Sequence, residues 1–175
     1  MTDRFAEVKV VVSDVDGVLT SGDIILGPNG EEWKRFDSQD GAGIKYLIRA
    51  GIPMALITGR WSEAVLKRAA ELGIGKVIVG AKEKLPALDE ILGHFGLPAE
   101  RTCYIGDDLP DIPVMRKVGC PVAVANARPE VKGLACYVTR AEGGRGAVRE
   151  VIEQILKAQG LWPSILKRYG VSQCE

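Results

Sequence analysis

The chain has 175 residues, with 23 Lys+Arg against 23 Asp+Glu and a formal net charge of zero. At 46% hydrophobic and 26% charged it has the composition of a globular protein, long enough for one domain with a self-sufficient core. Balanced charge gives no reason to expect nucleic acid or a membrane surface as partner, no apolar run has the length of a membrane span, and the N-terminal MTDRFAEVKV lacks the apolar stretch of a secretion signal, so neither a span nor a signal peptide is expected.

In chain order, short apolar runs alternate with amphipathic stretches. Residues 8–13 (VKVVVS) form a β-branched run typical of a strand buried on both faces. Helical spacing follows at 41–50, then a strand at 53–58 (PMALIT), a helix at 62–72, a strand at 76–79 and a helix at 84–95. A strand at 102–105 (TCYI) leads into a helix through Met115, a strand at 121–124, a short strand at 135–139 and a strong amphipathic helix at 146–158. This alternation predicts an α/β fold: a Rossmann-like parallel sheet covered by helices on both faces, as a single domain over residues 1–175.

One segment breaks the pattern. GDIIL and EEWKRF flank a turn made of Gly27, Pro28, Asn29 and Gly30, which reads as a β-hairpin inserted after the first strand, over residues 22–36. It is too short for a second domain, so no large cap is expected. The tail from residue 161 to 175 carries Trp162, Ile165, Leu166 and Tyr169, which must pack on the body or on another subunit.

Four cysteines, Cys103, Cys120, Cys136 and Cys174, form no C-x-x-C pair, and only His94 could join them at a metal. Cys103, Cys120 and Cys136 sit beside apolar residues and read as small core residues, which implies a reducing, cytoplasmic setting. His94 falls near the end of a helical pattern and reads as a surface residue.

Ligands of open parallel sheets bind outside the carboxyl ends of the strands. There the sequence places Asp14-Val15-Asp16-Gly17 after the first strand, Thr58-Gly59-Arg60 after the second, Lys84 at the helix after the third, and Gly106-Asp107-Asp108-Leu109-Pro110-Asp111 after the fourth. Each piece alone is unremarkable: an Asp at a strand end commonly caps a helix, and Lys84 alone could be a solvated helix lysine. Together they bring several acids to one edge, where they repel unless a cation is present. A hard divalent ion with oxygen ligands resolves this, and Mg²⁺ with a lysine and a hydroxyl beside it suits phosphoryl transfer.

DVDGVLT, LITGR, Lys84 and GDDLPD resemble, in order, the four motifs of the haloacid dehalogenase superfamily. The resemblance implies Asp14 as the nucleophile that becomes aspartyl-phosphate and Asp16 as the general acid/base. It implies Thr58 and Lys84 as phosphoryl ligands, Mg²⁺ held by Asp14, Asp107 and the Asp16 carbonyl, and Asp108 and Asp111 in support. An Asp at the second position favours phosphatases, because a departing alkoxide needs a proton. A non-catalytic phosphatase-like subunit would be free to lose Asp14 or Asp16, and both are present.

NGEEWKRF, DGAGIKYL, KRAAELGI and GGRGAVREVIEQILKAQG extend the resemblance, over residues 8–160, to the 3-deoxy-D-manno-octulosonate 8-phosphate phosphatase family, which serves lipopolysaccharide precursor synthesis. This implies a phosphorylated sugar acid as substrate and a homotetramer whose hairpins pack against neighbours. It also implies a substrate site lined by Asp16, Asp37, Ser38, Gln39, Asp40, Gly41, Thr58, Gly59 and Lys84, with Lys45, Arg60 and Arg68 binding the sugar acid, partly across a subunit boundary. Gln39 stands where the family usually has Arg. Trp33 resembles instead the related nonulosonate 9-phosphate phosphatases, while Arg60 and Glu71 resemble the octulosonate enzymes.

Overall fold

The computed structural model describes residues 4–171. Among these residues, eight strands and seven α-helices follow in the order β1 (Val10–Ser13), β2 (Ile25–Leu26), β3 (Glu32–Trp33), α1 (Ser38–Arg49), β4 (Met54–Ile57), α2 (Glu63–Leu72), β5 (Lys76–Ile78), α3 (Lys84–Phe95), β6 (Thr102–Gly106), α4 (Ile112–Met115), β7 (Cys120–Ala123), α5 (Pro129–Lys132), β8 (Tyr137–Val138), α6 (Ala147–Ala158) and α7 (Trp162–Arg168). Six strands form one sheet in the order β5-β4-β1-β6-β7-β8, every pair parallel. Strands β1, β4, β6 and β7 are buried at every residue, as continuous apolar runs covered on both faces require. Helix α1 packs on α6 and α2, and α3 packs on α4.

The chain moves outward from β1 through β4 to β5, then returns across β1 to β6 and moves the other way. The reversal leaves a crevice between the carboxyl ends of β1 and β6, the place where parallel sheets take ligands. Asp14 follows β1 and Asp107 follows β6, so topology alone brings them together.

The inserted hairpin is real but slight. Ile25 pairs with Trp33 and Leu26 with Glu32 in a separate two-stranded ribbon. Helix α1 starts at Ser38, earlier than the periodicity predicts, because the Asp37 carboxylate caps it by accepting from the Gln39 and Asp40 amides. Residues 38–41 are therefore a helical turn, not a loop. The helix expected through Met115 is a 3-10 turn at Leu109–Asp111 followed by the single turn of α4, with Pro110 and Pro113 limiting both.

Helix α6 begins at Gly146, which has no side chain to cap it; the cap comes from 106 residues away. The buried Asp40 carboxylate accepts from the Gly146 amide at 3.2 Å and the Arg149 amide at 2.7 Å. The tail turns back on the body: the Trp162 and Tyr169 rings lie 6.3 and 5.8 Å from that of Tyr46, and the Arg149 guanidinium sits 4.8 Å over Tyr46. Cys103 and Cys120 are buried as expected, but Cys136 is exposed, because it precedes the short edge strand β8. Cys174 lies outside the described residues. His94 is exposed in the last turn of α3. Among the described residues, no helix is long and apolar enough to cross a membrane.

Candidate active site

Asp14 leaves β1 into a tight turn in which the Leu19 and Thr20 amides both return to the Val15 carbonyl. Gly17, at φ 96°, lets this turn pass against Asp107; a Cβ there would collide with the Asp107 carboxylate. The turn is braced from outside by the Gly144 amide, 2.8 Å from the Val18 carbonyl.

Asp14 is 6% exposed, and its Oδ1 lies 2.7 Å from the Lys84 ammonium at the start of α3. Lys84 also meets Asp111 Oδ1 at 2.7 Å, where the buried Tyr104 hydroxyl donates at 2.6 Å. The other oxygen, Asp111 Oδ2, accepts from the amides of Asp107 at 2.9 Å and Asp108 at 3.2 Å. Both Asp111 oxygens are thus engaged, which makes this residue the anchor of Lys84 and of the loop after β6. Asp108 caps the 3-10 turn by accepting from the Leu109 amide at 2.8 Å.

Asp14, Asp107 and Asp111 each offer an oxygen within 4.8 Å of the others. Asp107 Oδ1 is buried with no hydrogen-bond partner. Burial, helped by the charges of Asp14 and Asp111, pushes Asp107 up to about 8. Burial also raises Asp14 to about 6, against the pull of Lys84. For Lys84, burial opposes the charge, but Asp14 and Asp111 outweigh it and hold its pKa above the ordinary value. The cluster is short of positive charge. A Mg²⁺ ion fits this need: it takes one or two carboxylates and completes its octahedron with water and phosphate oxygens. With Asp111 engaged elsewhere, Asp14 and Asp107 are the carboxylates free to hold it.

Thr58 follows β4; its hydroxyl donates to Asp16 Oδ2 at 3.2 Å and accepts from the Arg60 amide at 3.1 Å. Asp14, Asp16, Thr58, Gly59, Arg60, Lys84, Asp107, Asp108 and Asp111 all line one cavity of about 410 Å³. The four strand-end segments converge as their spacing predicts.

The remaining expected residues are elsewhere. Ser38, Gly41, Lys45 and Arg68 line a separate cavity of about 270 Å³ between α1 and α2, with Glu71. The Arg68 guanidinium lies over Gly41 and donates to Glu71 at 2.8 Å, while its Nε is buried with no partner. Asp37 is occupied as the cap of α1, and Gln39 is exposed on its first turn. Asp40, expected beside the substrate, is instead 1% exposed and engaged with α6; its carboxyl, raised by burial to about 6 against the backbone donors, faces inward because the early start of α1 turns it there.

Two contributors escape a motif-based reading. Lys34, on the hairpin, pairs with Asp16 Oδ1 and lies 2.8 Å from Glu32 Oε1; Glu32 also pairs with Arg60. Tyr104 lies inside β6 and touches the site through Asp111. The signal for the first was the alternation in EEWKRF, which turns Glu32 and Lys34 to one side and Trp33 to the other.

The profile of the haloacid dehalogenase-like hydrolases matches residues 77–152. Over 153 residues, 87% of this chain and 81% of the relative, the sequence is 48% identical to the 3-deoxy-D-manno-octulosonate 8-phosphate phosphatase of Escherichia coli K12. Among solved structures, a probable YrbI-family phosphatase from Pseudomonas syringae pv. phaseolicola superposes with TM-score 0.93 at 45% identity, covering 97% of each chain. The 3-deoxy-D-manno-octulosonate 8-phosphate phosphatase of Moraxella catarrhalis, solved with magnesium, phosphate and the sugar acid KDO, superposes with TM-score 0.92 at 41% identity, covering 95% of each. With the strand-end carboxylates in one cavity and likeness over nearly the whole length, the chain belongs to the haloacid dehalogenase-like hydrolases, in the family of the 3-deoxy-D-manno-octulosonate 8-phosphate phosphatases.

Proposed function

We propose that this protein is a Mg²⁺-dependent phosphomonoesterase that hydrolyses 3-deoxy-D-manno-octulosonate 8-phosphate to the free sugar acid and phosphate. The observation that carries the proposal is the 48% identity over 87% of the chain, joined to a cavity that gathers Asp14, Asp16, Thr58, Lys84 and Asp107. Asp14, Asp107 and the Asp16 carbonyl would hold Mg²⁺, which would supply positive charge that lets one anion approach another.

The chain's own groups do the rest. A carboxylate oxygen of Asp14 attacks phosphorus, and the bond from phosphorus to the sugar oxygen breaks. Lys84, 2.7 Å from Asp14, offsets negative charge on nucleophile and phosphoryl oxygens. Asp16, protonated in the substrate complex, gives that proton to the departing sugar alkoxide. It then takes a proton from the water that attacks the aspartyl-phosphate, which releases phosphate and restores Asp14. Thr58 donates its one hydroxyl proton to Asp16 Oδ2 in the free chain and turns it to a phosphoryl oxygen when the substrate is bound.

The proposal extends to assembly. On the hairpin, Ile24, Leu26 and Trp33 are 59%, 68% and 54% exposed, more apolar surface than so short a ribbon keeps in water. Packing of hairpins in a closed homotetramer buries it and brings Arg68 of one subunit toward the Asp14 cavity of the next. The cytoplasm is the setting that suits the free Cys103 and Cys120. The test is phosphate release from 3-deoxy-D-manno-octulosonate 8-phosphate by the purified protein, with Mg²⁺ and with excess chelator. Activity is expected only with the metal; equal rates in both would refute the metal role, and no preference over nonulosonate 9-phosphates would refute the substrate.

A further inference from the structure

We infer that Lys34, on the inserted hairpin, is a positioning residue that sets the direction of the Asp16 carboxylate; the inference rests on the acid–base role proposed for Asp16. Burial alternates along residues 31–36, so Glu32, Lys34 and Phe36 turn toward the body while Trp33 and Arg35 turn outward. The Lys34 side chain is 2% exposed. Its ammonium pairs with Asp16 Oδ1 and with Glu32 Oε1, Glu32 pairs with Arg60, and Thr58, two residues before Arg60, donates to Asp16 Oδ2. These contacts close a ring across three segments: the turn after β1, the hairpin and the stretch after β4. In the free chain both oxygens of Asp16 are held, one by a charge and one by a hydroxyl; with substrate bound, the charge of Lys34 remains.

An ammonium is costly to bury, and is tolerated here because two carboxylates meet it. Lys34 is not among the residues lining the cavity, so its reach to the reacting atoms runs through Asp16. That reach matters because a general acid must lie within hydrogen-bond distance of the leaving oxygen, and small misplacements are expensive in rate. The pairing also gives the hairpin two faces with two tasks. Trp33 and Ile25 turn outward, available to a neighbour, while Lys34 holds the acid.

The test compares Lys34→Gln with the wild type on three esters: the sugar-acid phosphate, glucose 6-phosphate and p-nitrophenyl phosphate. The first two release alkoxides that need the proton of Asp16; p-nitrophenolate leaves without one. Since kcat/KM covers every step through leaving-group departure, it is expected to fall about tenfold or more for both alkyl esters and less than about threefold for p-nitrophenyl phosphate. Circular dichroism and light scattering check fold and assembly. Asp16→Asn, run alongside, separates the two ideas. If it loses all three esters equally, the role of Asp16 fails. If it discriminates while Lys34→Gln loses all three equally, Lys34 serves only the fold or assembly, and the inference is overturned. Loss on the sugar-acid phosphate alone would mean direct contact with substrate, which overturns it too. Should Lys34→Gln not fold, Glu32→Gln opens the ring while leaving Lys34 its charge partner. A shift of about threefold in the same ratio is then expected, and an unchanged ratio overturns the inference.

Discussion

Asp14 and Asp16 stand two residues apart in one turn yet meet different partners: Asp14 is buried against Lys84, and Asp16 is held between Lys34 and the Thr58 hydroxyl. The two carboxylates therefore have different surroundings, and the proposed mechanism gives them different tasks. Asp14→Asn is expected to keep the fold and lose at least about a thousandfold in turnover, since an amide is a poor nucleophile toward phosphorus; substantial phosphate release by this variant would rule out the covalent route. The raised Asp107 carboxyl yields a second expectation. Its value moves from 3.8 to about 8 in the metal-free fold, so the folded chain keeps a proton that the unfolded chain releases. That contribution to stability is present at low pH and is lost as pH rises through about 8. In chelator at pH 8.5, Asp107→Asn should therefore melt higher than the wild type, by about 5 °C, with the gain shrinking toward pH 6. Thermal melts across that window decide it, and a variant that melts lower at pH 8.5 would contradict the charge crowding. Added Mg²⁺ should raise the melting temperature of the wild type only.

Helices α1 and α6 are joined by a cap that neither could supply alone. Gly146 opens α6 with bare amides, and Asp40 of α1 satisfies two donors there. The loop just before α6 also carries Gly143 and Gly144, which press against the backbone of residues 17–21 with no room for a Cβ. The cap therefore supports the turn that carries Asp14 and Asp16. Asp40→Ala should lower unfolding stability by about 1–2 kcal/mol, as loss of a helix cap does, with little change in KM. Urea unfolding and steady-state kinetics separate this from substrate contact, which would raise KM at unchanged stability.

A single subunit divides the expected substrate contacts between two cavities, the Asp14 cavity and the one holding Lys45 and Arg68. The proposed assembly through the hairpins would offer a way to unite them between copies. Arg68 has a buried Nε with no partner in the isolated chain, which leaves a donor for a carboxylate. Arg68→Ala should raise KM for the sugar-acid phosphate ten- to hundredfold, on the order of the 1.5–3 kcal/mol of a charge-assisted contact, and hardly affect p-nitrophenyl phosphate. Equal losses on both esters would assign Arg68 to the fold. Trp33→Ser, which removes apolar surface from the outward face of the hairpin, should shift light scattering toward smaller species and weaken turnover of the sugar-acid phosphate in parallel. A monomer with full activity would dismiss a site shared between subunits.

What the sequence determined by itself is the sheet and the edge it presents. Buried parallel strands need continuous apolar runs, and those runs end where the polar residues begin, so Asp14, Thr58 and Asp107 were legible as strand-end groups and Lys84 as a helix start. Parallel topology then forces all strand ends to one side, and no side-chain detail is needed to bring them together. What only the tertiary structure decided are the pairings between segments distant along the chain: Lys34 on Asp16, Asp40 on the amides of α6, Tyr104 on Asp111, and Arg68 away from the Asp14 cavity. Asp40 shows the difference most clearly. In the sequence it stands in a segment that resembles a substrate loop, but a cap by Asp37 starts the helix early and turns its carboxylate to the interior. Periodicity reports which face of an element is apolar; it carries no record of which distant polar group will meet a buried one, because that depends on how the elements stack.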